Sequence, residues 1–158
     1  MAENLLSNVE GLDNLLRQLE SVSQDMKKKG GRFALRKASQ VVLKAAKQNA
    51  ESVDDPETGR SISKNIALRW DGKRFRRTGD LGFRVGVQHG AVLKRGTPDL
   101  SSNAPTPHWR LLEFGTQNMA AQPFMRRALE DNVGIATQTF ITEYKKALDR
   151  ALRRQNRI

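Results

Sequence analysis

The spacing of the apolar residues changes twice along this chain of 158 residues. Between residues 12 and 26 apolar side chains recur every three or four positions, which is the period of an amphipathic helix. Between residues 81 and 88 they alternate with polar or small residues, as in a strand. After residue 123 the helical spacing returns. Because helices are segregated from strands along the sequence, we predict an α+β fold with a small antiparallel or mixed sheet.

Glycine and proline divide the helical segments. A first helix is predicted over 11–26 and is expected to end at the glycine pair at 30–31. A second is predicted over 32–51, which has an apolar stripe and no helix breaker. A long C-terminal helix is predicted from Pro123, and Gly134 is expected to kink or divide it. The predicted fold therefore has two N-terminal helices and one long C-terminal helix.

The middle of the chain has the alternation and the turn residues of strands. Residues 62–70 alternate loosely, and residues 81–88 alternate cleanly, with the four odd-numbered positions apolar. Asp71-Gly72 is a turn signal between these segments. Residues 73–80 are expected to form a basic turn or an exposed hairpin arm.

Length and composition indicate one domain. A chain of this length with 37% apolar residues can bury one modest core, so residues 1–158 are predicted to form a single domain. Residues 1–10, 153–158 and the proline-rich loop 95–107 are expected to be flexible. No apolar run approaches the ~20 residues of a membrane span, and the N-terminus does not resemble a signal peptide. The absence of cysteine excludes disulfides, zinc sites with thiolate ligands and cysteine nucleophiles.

The net charge of +11 is unevenly distributed. Residues 27–50 carry eight basic residues and no acidic one, and residues 73–79 place a phenylalanine among four bases. Such an excess favours contact with polyanions or with an acidic protein surface, and a merely solvated face has the same composition. The basic residues expected to face a DNA channel or a partner are Lys44, Lys47, Lys73, Arg74, Arg76 and Arg77. The chain contains no recognisable helix-turn-helix, zinc-finger or aromatic-rich RNA-binding motif, so recognition of a specific base sequence is not expected.

Few residues are of the kinds that catalyse reactions. His89 and His108 are the only histidines, and no HExxH or phosphate-binding glycine loop occurs. Asp54, Asp55 and Glu57 share one loop where a divalent ion could bind, although loops of this composition are usually only solvated. We therefore expect no enzymatic activity, no metal and no cofactor.

Glu113 is a lone carboxylate among Leu111, Leu112 and Phe114. A carboxylate in such surroundings is either partly buried and paired or directed into a site. Its candidate partners are Arg110, Arg126 and Arg127. We favour a structural ion pair over a perturbed catalytic acid.

A group of eight residues that includes Glu113 forms a pattern that we call the corner signature. Its members are Trp109, Glu113, Phe114, Gly115, Thr116, Pro123, Phe124 and Met125. The pattern resembles that of the neck or tail-completion proteins of lambda-like long-tailed bacteriophages, in which Glu-Phe-Gly-Thr follows an aromatic residue and precedes Pro-Phe. The basic, alanine-rich segment ending at 45–50 and the Thr58-Gly59 step are similar to the same family. The resemblance covers roughly residues 10–150. It departs where Ser61-Ile62 follows the Thr-Gly step at once.

The resemblance implies a non-enzymatic structural virion protein of the head–tail connector or neck. Such a subunit would assemble with copies of itself into a ring, a hexamer by the symmetry of the tail tube, and would contact other neck and tail proteins. It would touch genomic DNA without reading its sequence, would not contact a membrane, and would pass through the host cytoplasm during assembly. The corner signature is then a structural motif or a subunit interface.

Within this corner, specific roles are expected. Trp109, Leu112 and Phe114 should anchor a short element on the core, and Phe124 should plug the last helix against the sheet. Gly115 should permit a turn that a side chain would obstruct. Two other hypotheses remain open: a nucleic-acid-binding accessory protein that ignores sequence, and a small nuclease or other hydrolase using Glu113, His108 or the acidic residues of 54–57.

Overall fold

The computed structural model describes residues 24–54, 61–88 and 106–155. Within those ranges the chain forms six helices and two strands. Their bounds in chain order are α1 Gln24–Val53, α2 Ile62–Asn65, β1 Ile66–Trp70, α3 Gly72–Thr78, β2 Phe83–Val87, α4 Trp109–Phe114, α5 Phe124–Glu130 and α6 Val133–Gln155. The combination of helices, a small sheet and a long C-terminal helix confirms the α+β prediction. None of the described helices is long and apolar enough to cross a membrane.

The described residues divide between two compact units. The first contains residues 24–39, 71–83 and 134–155, and the second contains residues 40–54, 61–70, 84–88 and 106–133. That residues 1–158 form a single domain stays a prediction. Residues 1–10, 95–105 and 156–158, where flexibility was expected, lie outside the described residues.

Helix α1 runs without a break through Gly30 and Gly31, so the prediction that a helix ends there is wrong. The predicted helix over 11–26 lies mostly outside the described residues, and two N-terminal helices are not confirmed. The glycines allow close packing instead. A Cβ on Gly30 would lie 3.1 Å from a ring carbon of Tyr144, and one on Gly31 would lie 2.9 Å from Leu81 Cδ1.

The core of the first unit joins α1 to α6. Its buried members are Ala34, Ile141, Tyr144 and Leu148, with Phe140 and Leu152 packed against them. The Tyr144 hydroxyl donates a hydrogen bond to the Lys27 carbonyl at 3.0 Å. Burial disfavours the phenolate and so raises the pKa of Tyr144 above its ordinary value.

Strands β1 and β2 form an antiparallel pair. Gln88 N donates to Asn65 O at 2.8 Å, and Asp71 N donates to Gly82 O at 2.9 Å, so partner numbers fall as strand numbers rise. The strand predicted over 62–70 is correct only from Ile66. Its first four residues form α2 because the Asp54 carboxylate accepts the Ile62 N–H at 2.8 Å and satisfies a donor at the helix start.

The connection between the two strands is helical, so the expected turn at Asp71-Gly72 is wrong. Asp71 is the N-cap of α3, and its carboxylate accepts the Arg74 N–H at 3.1 Å. Gly79 ends the helix with φ 78°, a left-handed conformation that favours glycine. No residue of α3 is buried. The basic residues of this segment are exposed, as expected, but they lie on a capped helix and not on a turn or a hairpin.

The C-terminal helical segment breaks before Gly134, not at it. Helix α5 ends at Glu130, and α6 begins at Val133. The side-chain amide of Asn132 donates to the Ala128 carbonyl at 3.0 Å, and the backbone N–H of Asn132 donates to the Leu129 carbonyl at 3.2 Å. These bonds satisfy carbonyls at the end of α5 and explain why the break falls there. The long final helix, α6, is confirmed.

The core of the second unit gathers α1, the sheet and the two short helices α4 and α5. Its buried members are Ala46, Ala50, Ile62, Ile66, Phe124 and Ala128. Partly buried residues packed against them include Val85 and Val87 of β2 together with Trp109, Leu112 and Met125. Several members of the corner signature therefore contribute to this core.

Candidate functional site

Helix α4 carries the first half of the corner signature and has two different faces. Trp109 and Leu112 pack against the second core. Leu111 and Phe114 point away from it, with 51% and 66% of their surface exposed. Because they are three residues apart, these two apolar side chains lie on the same side of the helix. We call Leu111 and Phe114 the exposed edge.

Phe114 corrects one expectation, since it does not anchor α4 to the core. Its ring lies under the Arg126 guanidinium, 5.3 Å from the guanidinium carbon to the ring centroid. The anchoring predicted for Trp109 and Leu112 is confirmed. Phe114 was misassigned because its position in a Leu-Leu-Glu-Phe run does not reveal which side of a short helix faces the core.

Glu113 lies between these faces and is only 2% exposed. Its Oε2 accepts the Met125 N–H at 2.9 Å, and its Oε1 accepts the Arg126 N–H at 3.1 Å. Oε1 also accepts from Arg126 Nε at 3.1 Å, while Arg126 Nη2 donates to the Glu113 carbonyl at 2.6 Å. The structural ion pair is therefore present, and Arg126 is the partner among the three candidates. We call this arrangement the Glu113 cap.

The cap completes the hydrogen bonding of the first turn of α5. Pro123, at the N-cap position, makes no side-chain capping bond. Glu113 instead takes the N–H groups of the second and third helical residues, which an N-cap side chain usually satisfies. Phe124 N donates to Gln122 O at 2.8 Å, and Arg127 N donates to Pro123 O at 3.1 Å. All four N–H groups of this turn are thus satisfied, and the carboxylate stabilises a helix N-terminus.

Gly115 ends α4 in a conformation that only glycine adopts readily. Its φ is 75° and its ψ is 179°. A Cβ there would lie 2.9 Å from both Ala121 N and Met119 O, which are backbone atoms that cannot move aside. The turn role predicted for Gly115 is confirmed. The close packing of the loop backbone is a second reason why this position requires glycine.

The loop after Gly115 is fixed at both ends. Thr116 N donates to Met119 O at 2.9 Å and forms an isolated antiparallel bridge. Gln122 N donates to Leu112 O at 2.7 Å and returns the chain to α4. Pro123 follows with φ −76° and ψ 73°, the geometry of an inverse γ-turn. Thr116 is exposed on this supported loop.

Helix α5 begins at Phe124, one residue later than predicted, and this side chain is 2% exposed. Phe124 lies in the second core with Ile66 of β1, as predicted for a residue that packs α5 against the sheet. The amide of Asn49 donates to the Phe124 carbonyl at 3.2 Å and ties α1 to the same point. Nothing in the sequence indicated that Asn49 contacts Phe124, or that the Arg126 side chain contacts both the carboxylate and the backbone carbonyl of Glu113. Both contacts depend on tertiary packing.

The predicted basic residues lie on two elements. Lys44 and Lys47 are on α1 in the second unit, exposed and half-buried respectively. Lys73, Arg74, Arg76 and Arg77 are all exposed on α3 in the first unit. Whether they face DNA or a partner stays a prediction.

The described residues offer little to a reaction. No group of three or more histidine, aspartate or glutamate side chains among them could hold a metal ion. His108 precedes α4 and makes no side-chain cap bond. Of the acidic loop, Asp54 caps α2 through Oδ2, while Asp55 and Glu57 lie outside the described residues. Both oxygens of Glu113 are engaged by α5, which favours the structural role over a catalytic one.

Comparison with known protein families assigns the chain. Residues 13–115 match the model of the HK97-gp10-like family, described as "Bacteriophage HK97-gp10, putative tail-component". The match spans more than half of the chain and includes the signature from Trp109 to Gly115, so the protein belongs to this family. It is accordingly a structural component of a phage tail, and the resemblance seen in the sequence is confirmed. Searches of the curated proteins and of the solved structures found no match.

Proposed function

We propose that this protein is a ring-forming subunit of the phage neck that completes the tail and joins it to the DNA-filled head. The observation that carries the proposal is the contrast, within one short helix, between the buried carboxylate of the Glu113 cap and the exposed edge of Leu111 and Phe114. Membership in a family of tail components supports a structural role in the virion. The finer role, with a hexameric ring and other neck proteins as neighbours, is what the family resemblance implies.

A ring subunit contacts its two neighbours through different surfaces, so it needs apolar side chains presented outward in a fixed orientation. Phe114 is exposed, and the Glu113 cap holds its helix against α5. An aromatic side chain on a rigid support loses little freedom on binding and is well suited to the centre of an interface. We assign the exposed edge to the contact with a second copy.

The remaining signature residues then support this presentation. Gly115 allows the loop that carries Thr116, and Phe124 fixes α5 in the core. Pro123 starts the helix that the Glu113 cap completes. In this proposal the subunit assembles in the host cytoplasm and functions in the virion, with no reaction to catalyse.

Phage assembly provides the test. Phage lacking this gene would be complemented with wild-type protein, with Phe114→Ala, or with Phe33→Ala as a matched control. Phe33 is also exposed, at 42%, and also has cations over its ring, with Lys37 and Arg150 at 5.8 Å. We expect wild type and Phe33→Ala to give joined particles, and Phe114→Ala to give separate heads and tails in electron micrographs.

Two outcomes would reject the proposal. Phage without the gene could form joined, infectious particles, which would remove the neck role. Alternatively, Phe114→Ala could restore joining as well as wild type does, which would remove the exposed edge as the contact.

A further inference from the structure

The twelve-residue connection between β1 and β2, residues 71–82, is far longer than the pairing of the strands requires. An antiparallel pair can be closed by a turn of about two residues. Here the connection contains α3, and none of the α3 residues is buried. Helix α3 therefore adds little to the core, and its exposed side chains are available to contact another molecule.

The connection of residues 71–82, which we call the arm, is held in one conformation. The Asp71 carboxylate caps α3, and Asp71 N bonds to Gly82 O at its base. Gly79 reverses the chain at the other end, with its N–H donating to the Phe75 carbonyl at 2.9 Å. A binding surface that is already ordered loses less entropy when it meets its partner.

The four bases of α3 are not equivalent. Arg74 is paired with Asp80, with Nη2 to Oδ2 at 3.3 Å. A hydrogen bond from Thr78 and then the contact with Arg74 hold the pKa of Asp80 below its ordinary value. Lys73, Arg76 and Arg77 have no ion-pair partner among the described residues. Their spacing of three and four residues places these three cations on one side of the helix.

The composition of the arm distinguishes between two kinds of partner. A protein interface usually has an apolar or aromatic centre with charges at its rim. Every large exposed side chain of α3 is basic, and its one aromatic residue, Phe75, is half-buried. A set of exposed cations without an exposed apolar centre suits a phosphate backbone, which bears charge along its whole length.

We infer that α3 is a contact for the phosphate backbone of duplex DNA, made by Lys73, Arg76 and Arg77. Arg74 is a positioning residue, because its guanidinium is engaged by Asp80 at the end of the arm. The contact carries no sequence preference, since phosphate contacts fix position without reading bases. This DNA contact is additional to the proposed ring-forming role, and it does not require the ring to close.

The test compares two triple variants with equal loss of charge. The arm variant is Lys73→Gln, Arg76→Gln and Arg77→Gln. The control is Lys145→Gln, Arg153→Gln and Arg154→Gln, three exposed bases of α6. Binding of a random-sequence duplex would be measured by fluorescence anisotropy between ~50 and ~200 mM salt. Each variant would also be checked by circular dichroism and by its mass in solution.

We expect the arm variant to bind at least ~10-fold more weakly at low salt and to lower the slope of log K against log salt by about 2 to 3. The control should change affinity by less than about 3-fold, because it removes charge outside the contact. Three results would overturn the inference: no binding by wild type, equal losses in both variants, or unchanged DNA binding by the arm variant. The last would favour an acidic protein as the partner of α3. Because oligomer mass is measured separately, none of these results is confused with failure of the ring.

Discussion

Glu113 and Arg126 are joined at three points across two helices. Arg126 N and Nε both donate to Glu113 Oε1 at 3.1 Å, and Arg126 Nη2 donates to the Glu113 carbonyl at 2.6 Å. The carboxylate is buried, whereas the arginine side chain is 53% exposed. The buried partner therefore carries most of the structural consequence, because its loss leaves helix N–H groups without an acceptor.

Glu113→Ala should destabilise the fold by about 2–3 kcal/mol, since two N–H groups at the start of α5 lose their acceptor. Arg126→Ala should cost only about 1 kcal/mol, because an exposed ion-pair partner contributes little and the backbone bonds to Glu113 remain. Urea unfolding followed by circular dichroism would measure both. Equal costs, or a larger cost for Arg126→Ala, would contradict the cap. A metal-dependent activity lost in stably folded Glu113→Gln would instead favour the hydrolase hypothesis.

Truncation of two phenylalanines of the corner signature should lower stability by very different amounts. Phe124→Ala should cost about 3–5 kcal/mol, because its buried ring would leave a cavity in the second core. Phe114→Ala should change stability by only about 0.5 kcal/mol, as expected for an exposed position. The free energies of unfolding of the two variants give the comparison. A small cost at Phe124 accompanied by lost assembly would move that residue from the core to an interface.

Gly115→Ala should cost about 2–4 kcal/mol, because it combines a positive φ with contacts to loop backbone at 2.9 Å. Gly134 is a suitable control, since a Cβ there meets nothing within 4 Å and its φ is not positive. Gly134→Ala should leave stability unchanged or raise it by about 0.4–1 kcal/mol. Thermal unfolding of both variants tests the pair. Tolerance of alanine at 115 would show that the loop can adopt another path.

The Tyr144 hydroxyl should make stability depend on pH in the alkaline range. Because burial raises its pKa in the folded state, its contribution is complete below the ordinary tyrosine pKa of 10.0. The contribution is lost as pH rises through the higher folded-state value. Tyr144 is the only tyrosine, so alkaline difference absorbance reports it alone. Tyr144→Phe should lose this part of the pH dependence; an ordinary titration midpoint in the folded protein would contradict the assignment.

The sequence predicted helices and strands well where the spacing of apolar residues was regular. It failed where a residue type is common in two different structural positions. The final helix and the strand near residues 83–87 followed from spacing alone. Gly30-Gly31 looked like a helix end, yet these glycines lie inside α1 because Tyr144 and Leu81 approach too closely for side chains. Asp71 looked like a turn residue and is a helix cap, since aspartate suits both positions.

The corner could be located from the sequence, but its internal arrangement could not. The signature identified Glu113 as paired and Gly115 as a turn residue, and both hold. Which arginine pairs, and whether Phe114 faces inward, depends on how α4 is rotated against α5. That rotation is set by contacts such as Gln122 N with Leu112 O, between residues whose identities carry no signal.

The mass of the purified protein in solution tests the central claim most directly. Native mass spectrometry or light scattering, at concentrations where subunits associate, should give a closed oligomer, a hexamer in our proposal. Phe114→Ala should shift that species to the monomer of 17.8 kDa, while Phe33→Ala should leave it intact. A wild-type protein that stays monomeric both alone and with its tail partners, or an oligomer indifferent to Phe114→Ala, would contradict the account.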